Sequence, residues 1–160
     1  MIYHSPLGHL SLVADESGLR GAWFVGQKYF ERGLSGQVIE ASNPFLEQTA
    51  QLLDAYFASQ DVDFSSLTLA DAGTDFQKRV WSYLSQIPKG KTVTYGQIAR
   101  DLDIASAQAV GGAVGRNPFS VIIPCHRVLG SQGQMTGYAG GLDKKLWLLN
   151  HEAAKIDRKK

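Results

Sequence analysis

The chain has a single cysteine, Cys125, and no apolar run of about 18 residues. One cysteine excludes an internal disulfide and a cysteine-rich zinc site, and it fits a reducing, cytoplasmic setting. Without a long apolar run, no helix is expected to span a membrane. The opening residues, MIYHSPLGHLSLVADESG, lack a basic leader followed by a long apolar core, so no signal peptide is expected. Repeats and low-complexity linkers are missing too. The apolar fraction of 44% is ordinary for a globular chain and excludes disordered and fibrous classes.

A length of 160 residues allows one domain, or two small ones sharing a core. Neither sign of charge dominates, but the charges are unevenly spread. Residues 1–73 hold Arg20, Lys28 and Arg32 against nine acids, a net of −6. Residues 74–160 hold thirteen Lys/Arg against six acids, a net of +7. A basic C-terminal half suits a polyanion. A solvated lysine face with a basic tail, KIDRKK, would give the same count.

The pattern GHLSLVADESGLRGAWFV alternates around Asp15–Gly18 and predicts a β-hairpin. Asn43 and Pro44 open a helix carrying Phe45, Leu46, Leu52, Leu53, Tyr56 and Phe57. VDFSSLTLA reads as a short strand. These elements form an α/β lobe over residues 1–73. A second domain, 74–160, starts with TDFQKRVWSYLSQI, whose Phe76, Val80, Trp81, Leu84 and Ile87 share a helical face closed by Pro88 and Gly90. TYGQIARDLDI and SAQAVGGAVGRN are two short helices with helix-turn-helix spacing. Val121, Ile122 and Ile123 read as a buried strand running into Pro124 and Cys125. DKKLWLLNHEAAK is a last helix.

Several motifs carry no chemistry. Gly90–Thr92, GKT, resembles the end of a phosphate loop, but the full motif needs glycine where Ser85 stands. His4 and His9 are too few ligands for a metal. Trp23, Trp81 and Trp147 are read as core anchors. Cys125 differs. A lone buried cysteine is commonly a small hydrophobe. Here, however, His126 and Arg127 follow directly, and positive charge favours the nucleophilic thiolate. Asn150, His151 and Glu152 form a polar set on the last helix, and a carboxylate there could orient an imidazole. Neighbouring side chains of an extended strand point to opposite faces, so a thiol–imidazole pair at 125 and 126 needs a turn or a bridging water.

FQKRVWSYLSQIPKGKTVTYGQIA, AVGGAVGRNP, IIPCHRVLGSQGQMTGYAGG and KLWLLNHE, in this order over Thr74 to Glu152, resemble the C-terminal domain of O6-alkylguanine-DNA alkyltransferases. The resemblance implies an α+β chain. A small ribonuclease-H-like α/β lobe would precede a mostly helical domain of winged helix-turn-helix type. It implies single-use repair of double-stranded DNA, with the alkyl group of O6-alkylguanine, and O4-alkylthymine, passing irreversibly to Cys125. His126 would take the thiol proton through a water, Glu152 would orient His126, and Asn117 would brace the turn. Tyr95 would bond the flipped guanine and assist its departure. Tyr138 would line the pocket, while the backbones of Cys125, Val128 and Ala139 read the guanine edge. Ala105, Ser106, Ala109, Gly112 and Arg116 would lie along the minor groove, where small residues allow close approach.

No cofactor is expected; some relatives carry a structural zinc in the first lobe, but this chain has no cysteine there and His4 and His9 are too few ligands, and a monomer is expected. One position departs from the family pattern: Gln108 stands where relatives carry an intercalating arginine. Two other readings stay open, a non-catalytic alkyl-lesion sensor and a cysteine hydrolase.

Overall fold

The computed structural model describes residues 1–27 and 43–158, with side chains placed through Ala153. The basic tail expected at the C-terminus lies outside the described side chains. The described residues cluster into two units, Met1–Ala72 with Pro118–Ile122, and Gly73–Asn117 with Ile123–Lys160.

The first unit is built on three antiparallel strands in the order β1 (Ile2–Ser5), β2 (Gly8–Asp15), β3 (Gly18–Phe24). The hairpin predicted around Asp15–Gly18 is β2–β3, with Asp15 paired to Gly18. Strand β1 has no comparable sequence signal, since its four residues are half exposed. Helix α1 (Pro44–Phe57) starts as expected: the Asn43 side chain accepts from the Phe45 amide and proline occupies the first turn. Leu10, Leu12, Trp23, Phe24, Leu53 and Tyr56 are buried in this unit.

The stretch expected to be a strand, VDFSSLTLA, is not one. Phe64–Ser66 form a single 3₁₀ turn, with Asp63 accepting from the Ser65 amide, and only Leu69 bridges to Leu19. An aspartate that bonds its own downstream backbone outcompetes the ladder. The Leu69 bridge brings Thr68 against Gly18, whose φ is +140°. A Cβ at Gly18 would lie 2.6 Å from the Thr68 carbonyl oxygen. Gly18→Ala should therefore cost about 1–3 kcal/mol, read as a lower urea midpoint with an unchanged slope.

In the second unit, α2 (Asp75–Leu84) opens with a reciprocal capping box between Thr74 and Gln77. Val80, Trp81 and Leu84 are buried, and the Trp81 indole donates to the Ala113 carbonyl at 2.8 Å. That bond ties α2 to the helix-turn-helix pair. The pair consists of α3 (Tyr95–Asp101) and α4 (Ala107–Gly115), capped by Thr94 and Ser106. A two-residue parallel ladder joins β4 (Val93–Thr94) to β5 (Val128–Leu129). Helix α5 (Leu142–Arg158) closes the unit.

Two more expectations are corrected. Val121, Ile122 and Ile123 are buried but form a turn, with Val121 at φ +71°. A β-branched residue in the left-handed region is strained, and it reverses the chain four residues before the thiol. Trp147 is half-exposed and stacks on His151, 4.8 Å away, one turn along α5. Trp23 and Trp81 are the buried anchors.

Candidate active site

Cys125 opens a 3₁₀ turn, Cys125–Arg127, that follows directly on Pro124. The turn supplies the change of direction that a strand would deny to adjacent thiol and imidazole. Its last amide bond runs from Val128 N–H to the Cys125 carbonyl. The Val128 N–H is thereby committed to the protein, so the part of that backbone left to meet a base is the carbonyl. The thiol is buried and free. Burial pushes its pKa up, while a hydrogen bond from Asn117 and the charge of Lys145 pull it down. Asn117 is itself buried, and its amide nitrogen donates to the Ile123 carbonyl at 2.9 Å. One side chain therefore holds both the backbone before the turn and the sulfur on it.

The second residue of the turn, His126, is fully buried. Its Nε2 lies 2.7 Å from Glu152 Oε2. Burial lowers the His126 pKa and outweighs the opposing pull of Glu152; the positive charges of Arg127 and Lys145 lower it further. Burial alone would raise the Glu152 pKa. His126 and Arg127 overcome that and hold the carboxyl well below the usual range. An ionised Glu152 can only accept, so the imidazole proton sits on Nε2 and Nδ1 keeps its lone pair. Among the described residues, Nδ1 has no hydrogen-bond partner. A buried, neutral imidazole with one nitrogen anchored and the other open is the form a general base requires.

Arg127, buried beside them, forks onto the same carboxylate. Its Nε and Nη2 each lie 2.9 Å from a Glu152 oxygen, and Nη1 donates to the Ile87 carbonyl at 2.6 Å. Glu152 thus accepts from two side chains, the neutral His126 and the cationic Arg127, across 26 and 25 residues of sequence. Of the polar set on α5, only Glu152 turns inward. Asn150 is exposed and His151 packs on Trp147.

Tyr95 is the first residue of α3, and burial raises its phenol pKa, partly offset by the nearby polar side chain of Thr136. Its ring runs along Gly111 of α4, where an added Cβ would sit 3.8 Å from the aromatic carbons. Tyr95, Gln108, Gly111, Gly112, Gly130 and Thr136 line an open cavity of about 690 Å³. Tyr138 lies edge-on to His126 with ring centroids 6.5 Å apart. Ala139 is half-exposed in the loop before α5.

The structure therefore places Cys125 with Asn117, and His126 and Arg127 with Glu152, along one 3₁₀ turn, with Tyr138 beside His126. Tyr95 and Gln108 share the neighbouring cavity. Ala105, Ser106 and Ala109 are exposed at the start of α4, where the Ser106 hydroxyl caps the helix by accepting from the Ala109 amide. Arg116, exposed at its end, donates to the Gly112 carbonyl at 3.1 Å. Two participants escape sequence reasoning, Arg127 as a carboxylate partner and Lys145. Lys145 shares one helical face with Leu148 and Glu152 at spacings of three and four, the one sequence signal that it points inward. Among the described residues no group of three or more His, Cys, Asp or Glu is placed to hold a metal.

Known proteins resemble this chain along most of its length. Residues 75–154 match the family described as 6-O-methylguanine DNA methyltransferase, DNA binding domain, and residues 1–70 match its ribonuclease-like domain. A protein of Methanosarcina acetivorans, named methylated-DNA–protein-cysteine methyltransferase, is 43% identical over 155 residues, covering 96% of this chain and 97% of its own. One of the same name from Mycobacterium leprae is 44% identical over 153 residues, covering 95% of this chain and 90% of its own. Among solved structures, the Mycobacterium tuberculosis OGT in complex with DNA superposes with a TM-score of 0.83 at 37% identity, covering 96% of this chain and 92% of that one.

Proposed function

The chain belongs to the 6-O-methylguanine DNA methyltransferase family, and from that premise we propose how its own residues perform the repair. The protein binds DNA and reverses alkylation directly, by moving the alkyl group from guanine O6 to its cysteine, the only one being Cys125. The fold is α+β, with the ribonuclease-like unit first and the helical DNA-binding unit second. The observation that carries the residue assignment is the bonded chain Asn117–Cys125 and His126–Glu152–Arg127 around one buried thiol.

In the proposed reaction the thiol proton passes through a water to His126 Nδ1. Glu152 accepts from Nε2 throughout and stabilises the imidazolium that forms. The thiolate then attacks the alkyl carbon. The S–C bond forms as the C–O6 bond breaks, and guanine leaves with the electron pair. Tyr95, its phenol held protonated by burial, donates a hydrogen bond to the departing base, and the proton held on His126 restores charge balance. A thioether does not hydrolyse, so the protein acts once. That single turnover separates it from a cysteine hydrolase, and the retained thiol separates it from a lesion sensor. The carbonyls of Cys125 and Val128 and the N–H of Ala139 would meet the guanine edge, with Tyr138 walling the pocket. A cytoplasmic location fits the free thiol, and no helix among the described residues is long and apolar enough to cross a membrane.

DNA would enter along α4. Ala105, Ser106 and Ala109 are exposed and small, Gly112 leaves room for close approach, and Arg116 offers a phosphate contact. Gln108 is exposed at the rim of the cavity beside Tyr95. Glutamine fills space and hydrogen-bonds, but it carries no charge and does not stack as a guanidinium does. Gln108→Arg should therefore strengthen binding to duplex DNA and raise the single-turnover rate, each by about tenfold, one charge-assisted contact being worth roughly 1.5–3 kcal/mol. The test is a titration and a quenched-flow transfer assay on the same O6-methylguanine duplex. No gain in either would mean that this position does not support the extruded base.

A further inference from the structure

Lys145 is fully buried, with 0% of its surface exposed. It lies in the first turn of α5, and its ammonium donates to the Thr136 carbonyl at 2.7 Å and the Gly137 carbonyl at 3.2 Å. These carbonyls belong to the loop that carries Tyr138 and Ala139. No carboxylate pairs with Lys145 among the described residues; Glu152, the acid on the same helical face, is taken by His126 and Arg127. A buried ammonium that meets only neutral carbonyls is costly. Such a group calls for an anion that forms during the working cycle.

We propose that Lys145 is the fixed counter-cation of the Cys125 thiolate, a positioning residue that also ties the Thr136–Gly137 loop to the charge state of the sulfur. The inference rests on the assignment of Cys125 as the acceptor. The groups around the sulfur divide the work. Asn117 holds the sulfur by a hydrogen bond, His126 removes the proton, and Arg127 is spent on Glu152. Tyr95 is neutral. Lys145 is the cation without an acid of its own. The mutual effect is reciprocal: the Lys145 charge pulls the thiol pKa down, and the thiolate supports the ammonium. Burial otherwise pulls Lys145 from its ordinary value down to about 8. The charge state of each group therefore shifts the titration of the other. A thioether is neutral at every pH, so after alkylation no thiolate can form beside Lys145; the lysine then gives up its proton more readily, and its hold on the two loop carbonyls weakens.

The direct test uses iodoacetamide, which reads the thiolate without DNA and so stands or falls separately from repair activity. The rate of Cys125 alkylation is measured from pH 5 to 11 in wild type, Lys145→Met and Lys145→Arg. Loss of the counter-charge should move the Lys145→Met profile to higher pH by about one unit or more, a tenfold fall in rate at neutral pH. Rates should converge at the alkaline plateau, and Lys145→Arg should restore the position of the profile. A Lys145→Met rate lowered by one factor at every pH would mean a merely structural lysine and would overturn the proposal. Should that variant fail to fold, wild type suffices. The Lys145 side chain, followed by NMR, should titrate at lower pH once Cys125 is S-methylated by an O6-methylguanine oligonucleotide. An unchanged Lys145 titration would overturn the proposal equally.

Discussion

His126→Gln is expected to slow methyl transfer from an O6-methylguanine duplex by roughly 10²–10⁴-fold at neutral pH, the ordinary contribution of a general base. The reason lies in the state of the thiol. Burial raises its pKa, so at neutral pH it is largely protonated and must be ionised for each attack. Glutamine keeps a donor toward Glu152 but has no lone pair of imidazole basicity. DNA affinity should stay within a few-fold of wild type, because His126 is fully buried and reaches no exposed surface. The deficit should also shrink as pH rises, since hydroxide then ionises the thiol unaided. A pH-independent deficit would mean that His126 only shapes the turn. Single-turnover kinetics at several pH values separate these outcomes.

Glu152→Gln is expected to have the largest effect on stability, about 3–5 kcal/mol, because it strands a buried guanidinium. That is a large share of a typical total of about 5–15 kcal/mol. The paired change Arg127→Met with Glu152→Leu removes both charges and should recover most of the loss, yet transfer should remain slow because His126 has lost its anchor. Stability and activity then part company, which distinguishes an orienting carboxylate from a structural salt bridge.

The same cluster sets the response to acid. The folded-state pKa values of His126 and Glu152 are both lowered. Each therefore contributes stability that is complete above its unfolded pKa, about 6.5 for His and 4.3 for Glu, and is lost as pH falls below it. The urea midpoint should start to decline near pH 6.5 and steepen near pH 4.

Much of this site was legible before any coordinates. Cys125, His126 and Asn117 stand in compact motifs, and α4 announced itself through its run of small residues in SAQAVGGAVGRN. Glu152 was legible as a carboxylate on the last helix, although its pairing with His126 joins parts of the chain 26 residues apart. Lys145 was hidden because a lysine in DKKLW reads as solvated surface; only the fold buries it. Val121–Ile123 misled for a related reason. Three apolar, β-branched residues satisfy a strand pattern, and nothing local reveals that Val121 adopts φ +71° to turn the chain. Thr68–Ala70 failed more mildly: the alternation is genuine, but Asp63 diverts the preceding backbone into a 3₁₀ turn and leaves a single bridge.

The most direct test of the whole account is a stoichiometric mass measurement. The protein is mixed with increasing O6-methylguanine duplex, and both partners are weighed. The account predicts that each chain gains one CH₂, confined to the peptide bearing Cys125, with a plateau at one methyl per protein and unmodified guanine left in the DNA. Methyl loss from the DNA beyond one equivalent, a methyl found on another residue, or tight binding without any mass gain would contradict it.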